Sequence, residues 1–215
     1  MTAIREAYHA KVREDVLPVV PSRGGTLLDV GGGTGVTAAR LKTLGRVDRA
    51  GVVDLVPSQA RAPGIDFHLS GDLEDPATLE STIAAEGPFS TILCLDVLEH
   101  LRDPWAVIAR LHGGLAPGGV IVASIPNISH WKAVFPLVFR GRWELEDEGI
   151  RDRTHLRWFV RKTAIELMTS SGLTLEEVRA EPGGGRRIRL FRAATLGILS
   201  RFTDLQYVIR VRRSD

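Results

Sequence analysis

Residues 26–35 read Thr26-Leu27-Leu28-Asp29-Val30-Gly31-Gly32-Gly33-Thr34-Gly35, and this stretch decides the fold. Thr26 to Val30 is a short β-branched and leucine run, which predicts a buried strand. It runs straight into glycines, the residues that turn a chain sharply and let backbone approach a ligand with no Cβ in the way. Helical spacing follows over Val36–Leu44 and stops at Gly45. A strand feeding a glycine turn that opens a helix leaves free N–H groups and the positive end of a helix dipole beside the turn. Gly31, Gly33 and Gly35 are therefore candidate nucleotide-binding positions. Alone, the pattern also fits dinucleotide sites.

Working outward, strand and helix alternate. Strands are expected at Ala50–Val53, Ile65–Leu69, Ser90–Leu95 and Val120–Ile125, with helices at Pro76–Ala85 and Pro104–His112. The strands are continuous apolar runs, which is the pattern of a parallel sheet covered on both faces, an α/β fold. Before the first strand, residues 2–17 have amphipathic helical spacing ended by Pro18 and Pro21, giving an N-terminal helix within 1–20. After Ile125 the rhythm breaks. An irregular insertion over about 126–161, rich in Trp, Phe, Arg, His and Pro, reads as a substrate lid. Regularity resumes with a helix at Lys162–Ser171 and a strand at Leu175–Arg179. A glycine loop at Gly183–Gly185, a helix over Ile188–Phe202 and a last strand at Leu205–Arg212 follow. Residues 1–215 read as one domain.

Of 215 residues, 44% are apolar and 25% charged, as in ordinary globular proteins. Cys94 is the single cysteine, so no internal disulfide framework exists and a reducing compartment fits. No apolar run spans a bilayer and Met1-Thr2-Ala3-Ile4-Arg5-Glu6 lacks a signal-peptide core, so the expected location is cytoplasmic with no membrane partner. A net charge of +2 gives no case for nucleic acid. Arginines do crowd Arg140–Arg161, Arg186–Arg192 and Arg201–Arg213, either as a solvated basic face or for an anionic substrate.

Carboxylates close several of these strands. Asp54, with Leu55 after it, ends the second strand some twenty residues beyond the glycines, where it can accept from both ribose hydroxyls of a nucleoside. Asp72 follows the third strand and can take the exocyclic amine of adenine, with Leu73 against the ring. Asp29 directly precedes the glycines and can orient the loop or a ligand amine. Asp96 follows the fourth strand at the edge of the same pocket.

At this point the chain resembles the class I S-adenosylmethionine-dependent methyltransferases. Leu28-Asp29-Val30-Gly31-Gly32-Gly33-Thr34-Gly35 looks like their first motif, Asp54 like the acidic end of their second strand, and Asp72-Leu73 like their adenine position. Asp96-Val97-Leu98-Glu99-His100-Leu101 is similar to the segment after their fourth strand, and Leu115-Ala116-Pro117-Gly118-Gly119 to the turn before their fifth. Gly32 departs from relatives that carry Cys there. The resemblance implies a Rossmann-like three-layer sandwich with seven strands, mostly parallel, the last inserted antiparallel beside the fifth. It also implies S-adenosylmethionine as cofactor, S-adenosylhomocysteine as product and a small-molecule acceptor. Ser124 to Trp131 and Asp147 to Phe159 resemble a bacterial subgroup associated with glycosyltransferases, cell-surface glycans and natural-product pathways. That subgroup is related to the ubiquinone-biosynthesis O-methyltransferases.

Methyl transfer to a hydroxyl calls for a base or a metal. His130 and His155, in the lid, are the candidate bases. Their structural alternatives are a loop histidine bonded to backbone and a pin fastening lid to sheet. Asp96, Glu99 and His100 could hold a divalent cation, or Glu99 and His100 could only brace the loop. Tyr8 is placed to close over the methionine end of the cofactor. Trp131, Trp143 and Trp158 fill the space between lid and sheet or stack on a ring. The expected reaction is O-methylation of a sugar or natural-product metabolite. Its rivals are N- or carboxyl-methylation, nicotinamide-dependent oxidoreduction and non-catalytic nucleoside binding.

Overall fold

A computed structural model describes residues 11–183 and 185–214. Its sheet has seven strands in the order β3-β2-β1-β4-β5-β7-β6. They are β1 Thr26–Val30, β2 Arg49–Asp54, β3 Phe67–Ser70, β4 Phe89–Leu95, β5 Leu115–Pro126, β6 Thr174–Pro182 and β7 Asp204–Arg212. β1 to β5 pair in parallel, and β7 enters antiparallel between β5 and β6, as the resemblance implied. The helices are α1 Val36–Thr43, α2 Pro76–Glu86, α3 Pro104–Gly114, α4 Trp131–Arg140, α5 Arg161–Thr169 and α6 Arg186–Ala194.

Strand neighbours in sequence face opposite layers. Leu28, Ile92 and Ile121 pack with residues of α2, α3 and α5 in one core. Leu27, Leu93 and Val122 pack with α1 and with Val16 to Val20 in the other. This two-sided burial is why the runs are apolar without alternation. α2 and α3 start alike: Asp75 and Asp103 accept from the backbone N–H groups of Ala77 and Ala106, each at 3.0 Å, and proline follows each cap.

Three expectations are corrected. The N-terminal helix does not extend to residue 17: residues 11–13 carry no regular structure, and Pro18 sits inside a 3₁₀ turn, Leu17–Val19. That segment is held by packing and by Arg46, which donates to the Leu17 and Val20 carbonyls. The lid contains a full helix, α4, with Trp131, Phe135 and Phe139 spaced four apart along it. The helix expected over 188–202 ends instead at Ala194, because Leu196 and Gly197 both take positive φ, at 48° and 75°, and reverse the chain.

Gly51 on β2 lies against its β3 partner Phe67: a Cβ there would sit 2.0 Å from the ring. Gly51→Ala is expected to destabilise the fold by about 1–3 kcal/mol through this overlap. Urea unfolding of the two chains measures it, and an unchanged midpoint would show that the ring yields freely.

Candidate active site

The carboxyl ends of β1 and β4 open into a cleft of about 360 Å³. Asp29, Gly31 and Gly32 line it from β1, Asp96 from β4, and Arg13 and Thr37 from the side of α1. Gly31 adopts φ 70°, and a Cβ there would meet Val97 Cγ2 at 2.5 Å. Only glycine makes this turn without displacing Val97. The position facing Gly32 is filled by the Asp29 carboxyl, whose Cγ lies 2.3 Å from where a Cβ would be. A side chain at 32 therefore requires Asp29 to turn away. Gly33 and Gly35 continue the turn at φ 58° and 82°, and Gly35 is the residue before α1.

Asp54 braces this loop. Its Oδ2 accepts from the Gly33 N–H and its Oδ1 from the Val56 N–H, both at 2.8 Å. Each oxygen keeps a second lone pair for a ligand hydroxyl. The neighbouring Leu55 is 72% exposed, an apolar side chain presented to solvent at the sheet edge. Asp72 is exposed and uses Oδ1 to accept from Glu74 N at 2.9 Å, while Leu73 is buried. Asp54, Leu55, Asp72 and Leu73 lie at the ends of β2 and β3, one strand and two strands along from the cleft. Tyr8 lies outside the described residues.

Asp29 is fully buried, and its Oδ1 has no hydrogen-bond partner among the described residues. Burial, reinforced by the Asp54 charge and opposed by Arg13, raises its pKa to about 7. Asp96 sits at φ 52°. Ser124 Oγ donates to its Oδ1 at 2.6 Å, and Arg13 forms an ion pair with its Oδ2. Arg13 also binds Asp15 through Nε and Nη2, at 3.0 and 2.9 Å. No sequence signal pointed to Arg13, because its partner lies 83 residues away.

Asp96 does not join Glu99 and His100 in a metal-ligating group. Its carboxylate is taken by Ser124 and Arg13, and His155 completes the group instead: ligand atoms of Glu99, His100 and His155 lie within 4.8 Å of one another. Both Glu99 oxygens are buried with no hydrogen-bond partner among the described residues. Burial and then the Asp96 charge hold this carboxyl well above the usual range. His155 Nε2 stands 3.9 Å from Glu99 Oε1, and the two imidazoles meet edge to face with centroids 4.7 Å apart. His100 Nδ1 faces the Thr154 carbonyl at 3.2 Å and His155 Nδ1 faces that of Ile150 at 3.3 Å. A carbonyl only accepts, so each Nδ1 carries the proton and each Nε2 a lone pair. Burial and the His100 charge lower the His155 pKa.

His130 is placed differently. It caps α4, its Nδ1 accepting from Lys132 N at 3.3 Å. Burial, then Lys132, takes its pKa down to about 4. The lone pair is spent on the helix end, and the proton sits on Nε2, which is the wrong form for a base. Of the lid tryptophans, Trp143 and Trp158 pack edge to face at 6.0 Å, and all three remain part-exposed.

The Asp29 shift has a sign. A carboxyl whose folded pKa exceeds 3.8 binds its proton more tightly folded than unfolded, so stability is lost as pH rises from about 4 to about 7. Asp29→Asn is expected to remove that loss, gaining on the order of 2–4 kcal/mol over the parent across this window. Urea midpoints of both chains against pH measure it. Parallel curves would place the Asp29 pKa near 4.

A family model described as a methyltransferase domain matches residues 2–178. The chain is 31% identical over 175 residues to a ubiquinone biosynthesis O-methyltransferase of Xylella fastidiosa, covering 78% of this chain and 69% of that protein. It is 27% identical over 159 residues to one of Xanthomonas euvesicatoria, covering 72% and 65%. The chain thus spans about two thirds of the length of these relatives. A SAM-dependent methyltransferase from Archaeoglobus fulgidus superposes with TM-score 0.63 at 15% identity, over 97% of this chain and 94% of that one. The 1,6-didemethyltoxoflavin-N1-methyltransferase of Burkholderia thailandensis, solved with S-adenosylhomocysteine, gives 0.60 at 16%, over 98% and 82%. With glycine turn, strand-end carboxylates and strand order all in agreement, the chain belongs to the class I S-adenosylmethionine-dependent methyltransferases.

Proposed function

We propose that this chain moves a methyl group from S-adenosylmethionine to a hydroxyl of a small molecule, a sugar or natural-product metabolite. The observation that carries the reading is the cleft at the carboxyl ends of β1 and β4, lined by the Asp29 carboxyl, whose Oδ1 has no partner among the described residues, with the Gly31 turn beside it. When bound, S-adenosylmethionine supplies a sulfonium methyl open to in-line displacement. Asp29 binds its ammonium, an exchange that offsets the cost of burying the carboxylate. The backbone at Gly31, Gly33 and Gly35 follows the ligand chain. Asp54 and Leu55 hold the ribose, Asp72 and Leu73 the adenine, and Asp96 the near edge of the cleft. Arg13, already holding two carboxylates, fits a ligand carboxylate.

Hydroxyl transfer is favoured over amine or carboxylate transfer by His155. Its Nε2 lone pair, beside Glu99, is the one fit to take the acceptor proton, and the His130 lone pair is committed to α4. The relatives named as O-methyltransferases support the same choice. Calorimetric titration with S-adenosylmethionine is expected to show one site, with NAD showing none. Asp54→Ala should weaken it at least about tenfold, the loss of charge-assisted hydrogen bonds to the ribose. An unchanged dissociation constant would overturn the Asp54 assignment, and binding of NAD alone would overturn the reaction.

A second reading rests on Glu99. A buried carboxylate with both oxygens partnerless, facing two imidazole lone pairs, has the ligand chemistry of a divalent-cation site. Glu99, His100 and His155 would hold the ion, which would acidify an acceptor hydroxyl. Under this reading, dialysis against a strong chelator abolishes turnover and added zinc or manganese restores it. Under the first, turnover survives the chelator while His155→Ala lowers kcat by about 10²–10⁴.

A further inference from the structure

We infer that the acceptor sits at the β6–β7 end of the cleft, and that this end selects a hydroxylated acceptor carrying an ammonium group, with Glu181 reading the charge. This acceptor class presupposes the methyl transfer proposed above. The cleft is longer than the cofactor needs. From β1 it reaches across β4, β5 and β7 to β6, four steps along the sheet. At about 4.8 Å a step that is roughly 19 Å. Asp29, Gly31 and Asp96, assigned to the cofactor, occupy the near end on β1 and β4. The far end is lined by Glu181, near the end of β6, and Gln206, near the start of β7. These two are direct partners in the antiparallel ladder, so their side chains leave the same face of the sheet.

What this far end offers a ligand is acceptors. Gln206 spends Nε2 on Asp15 Oδ2 at 3.0 Å, which leaves its carbonyl oxygen to accept. Glu181 Oε1 is buried and makes no hydrogen bond among the described residues, although Arg179 Nε forms an ion pair with it at 2.9 Å. A carboxylate has about four lone-pair positions, and one guanidinium N–H does not exhaust them. A group that enters between Glu181 and Gln206 therefore has to donate, and an ammonium donates with charge. The ammonium of the cofactor is already met by Asp29 at the other end, so this one belongs to the acceptor.

The charge around the cleft agrees. Among the described residues, Asp15, Asp29, Asp96 and Glu181 line it, against Lys11 and Arg13. Arg13 is drawn to Asp15 and Asp96, and Lys11 stands exposed at the rim. An anionic acceptor would bring its charge against Glu181. The arginines of the last third do not relieve this: Arg192 is turned to Asp204, and neither Arg189 nor Arg201 lines the cleft. Their runs fit a solvated face better than an anionic substrate. A neutral polyol would satisfy the lone pairs and forgo the charge. Glu181 also lies beyond residue 178, where the family match ends, which suits a residue that selects the acceptor rather than the common cofactor.

The test uses three pyranoses that differ in charge: glucosamine, glucose and glucuronate. Their dissociation constants from the full chain saturated with S-adenosylhomocysteine are measured by ligand-observed NMR, at a pH that keeps the amine protonated and the carboxyl ionised. Glucosamine is expected to bind tightest and glucuronate weakest, at least about tenfold apart, and the gap should narrow as salt is added. Glu181→Gln should bring glucosamine to the level of glucose, and Glu181→Lys should reverse the order. S-adenosylhomocysteine should bind all three chains alike, and their thermal melts should coincide. Glucuronate binding as tightly as glucosamine, no binding of any of the three, or a glucosamine preference that survives Glu181→Gln would each overturn the assignment. So would a loss in Glu181→Gln shared equally by the three sugars, which makes Glu181 structural. If S-adenosylhomocysteine does not bind the parent at all, the methyl-transfer reading itself fails, and the acceptor assignment with it.

Discussion

The bond from Gly33 N–H to Asp54 Oδ2 is the constraint on which the site depends. Parallel pairing sets the ends of β1 and β2 side by side, and Gly31 N extends the ladder one step past β1 by donating to Val53 O at 2.8 Å. Beyond that step the chain has no strand partner left. Asp54 supplies one from a side chain, and with its other oxygen it holds the Val56 N–H, just past the end of β2. One carboxylate thus fixes two adjacent loops, and a charge-assisted bond in a buried setting does so more firmly than a neutral one would. His68 adds a second tie, Nε2 to the Gly33 carbonyl at 3.1 Å. The glycines give this loop its freedom, and β2 and β3 take that freedom away.

Two buried carboxyls, Asp29 and Glu99, are costly features that the fold tolerates next to its cleft. Each lies at or just beyond a strand end, each has an oxygen without a partner, and in each the carboxyl holds its proton to unusually high pH. An apolar residue at either place would remove that cost. Retaining acids there makes sense when a cation arrives to meet them, because the desolvation already suffered then strengthens the attraction. Arg13 works in the same sense for Asp96 and Asp15, drawing the first described residues down over the cleft.

Most of the sheet was legible, because β1, β4 and β5 are buried on two sides and their residues advertise it: Leu27 and Leu28 face different cores. The strand-end acids were legible for a related reason, since a charged residue closing an apolar run has no place in a core. What failed was long-range or conformational. Arg13 meets Asp96 only through the fold, and it is the fold that brings His155, some 55 residues on, beside Glu99 and His100 while Ser124 and Arg13 engage the Asp96 carboxylate. α4 was hidden by Pro136, which breaks helices as a rule but is accommodated five residues after Trp131. The end of α6 depends on Leu196 taking positive φ, which no propensity foretells.

The placement of β7 explains how one scaffold can keep its cofactor and change its acceptor. β7 runs antiparallel to both β5 and β6, so β6 points the same way as β5 and ends at the same edge. The β6–β7 connection therefore rises beside the β5 lid, over the edge where the cleft opens. Glu181, at the end of β6, and Gln206, at the start of β7, both line that cleft. The proposed cofactor residues other than Tyr8 fall within residues 29–96, on strand ends fixed by the ladder, whereas the lid and the last connection beside it fall in 127–160 and 183–203. The family match ends at residue 178, before α6 begins. Residues that hold a common cofactor are bound to the common sheet, and those free to select something new occupy connections that the sheet positions but does not prescribe.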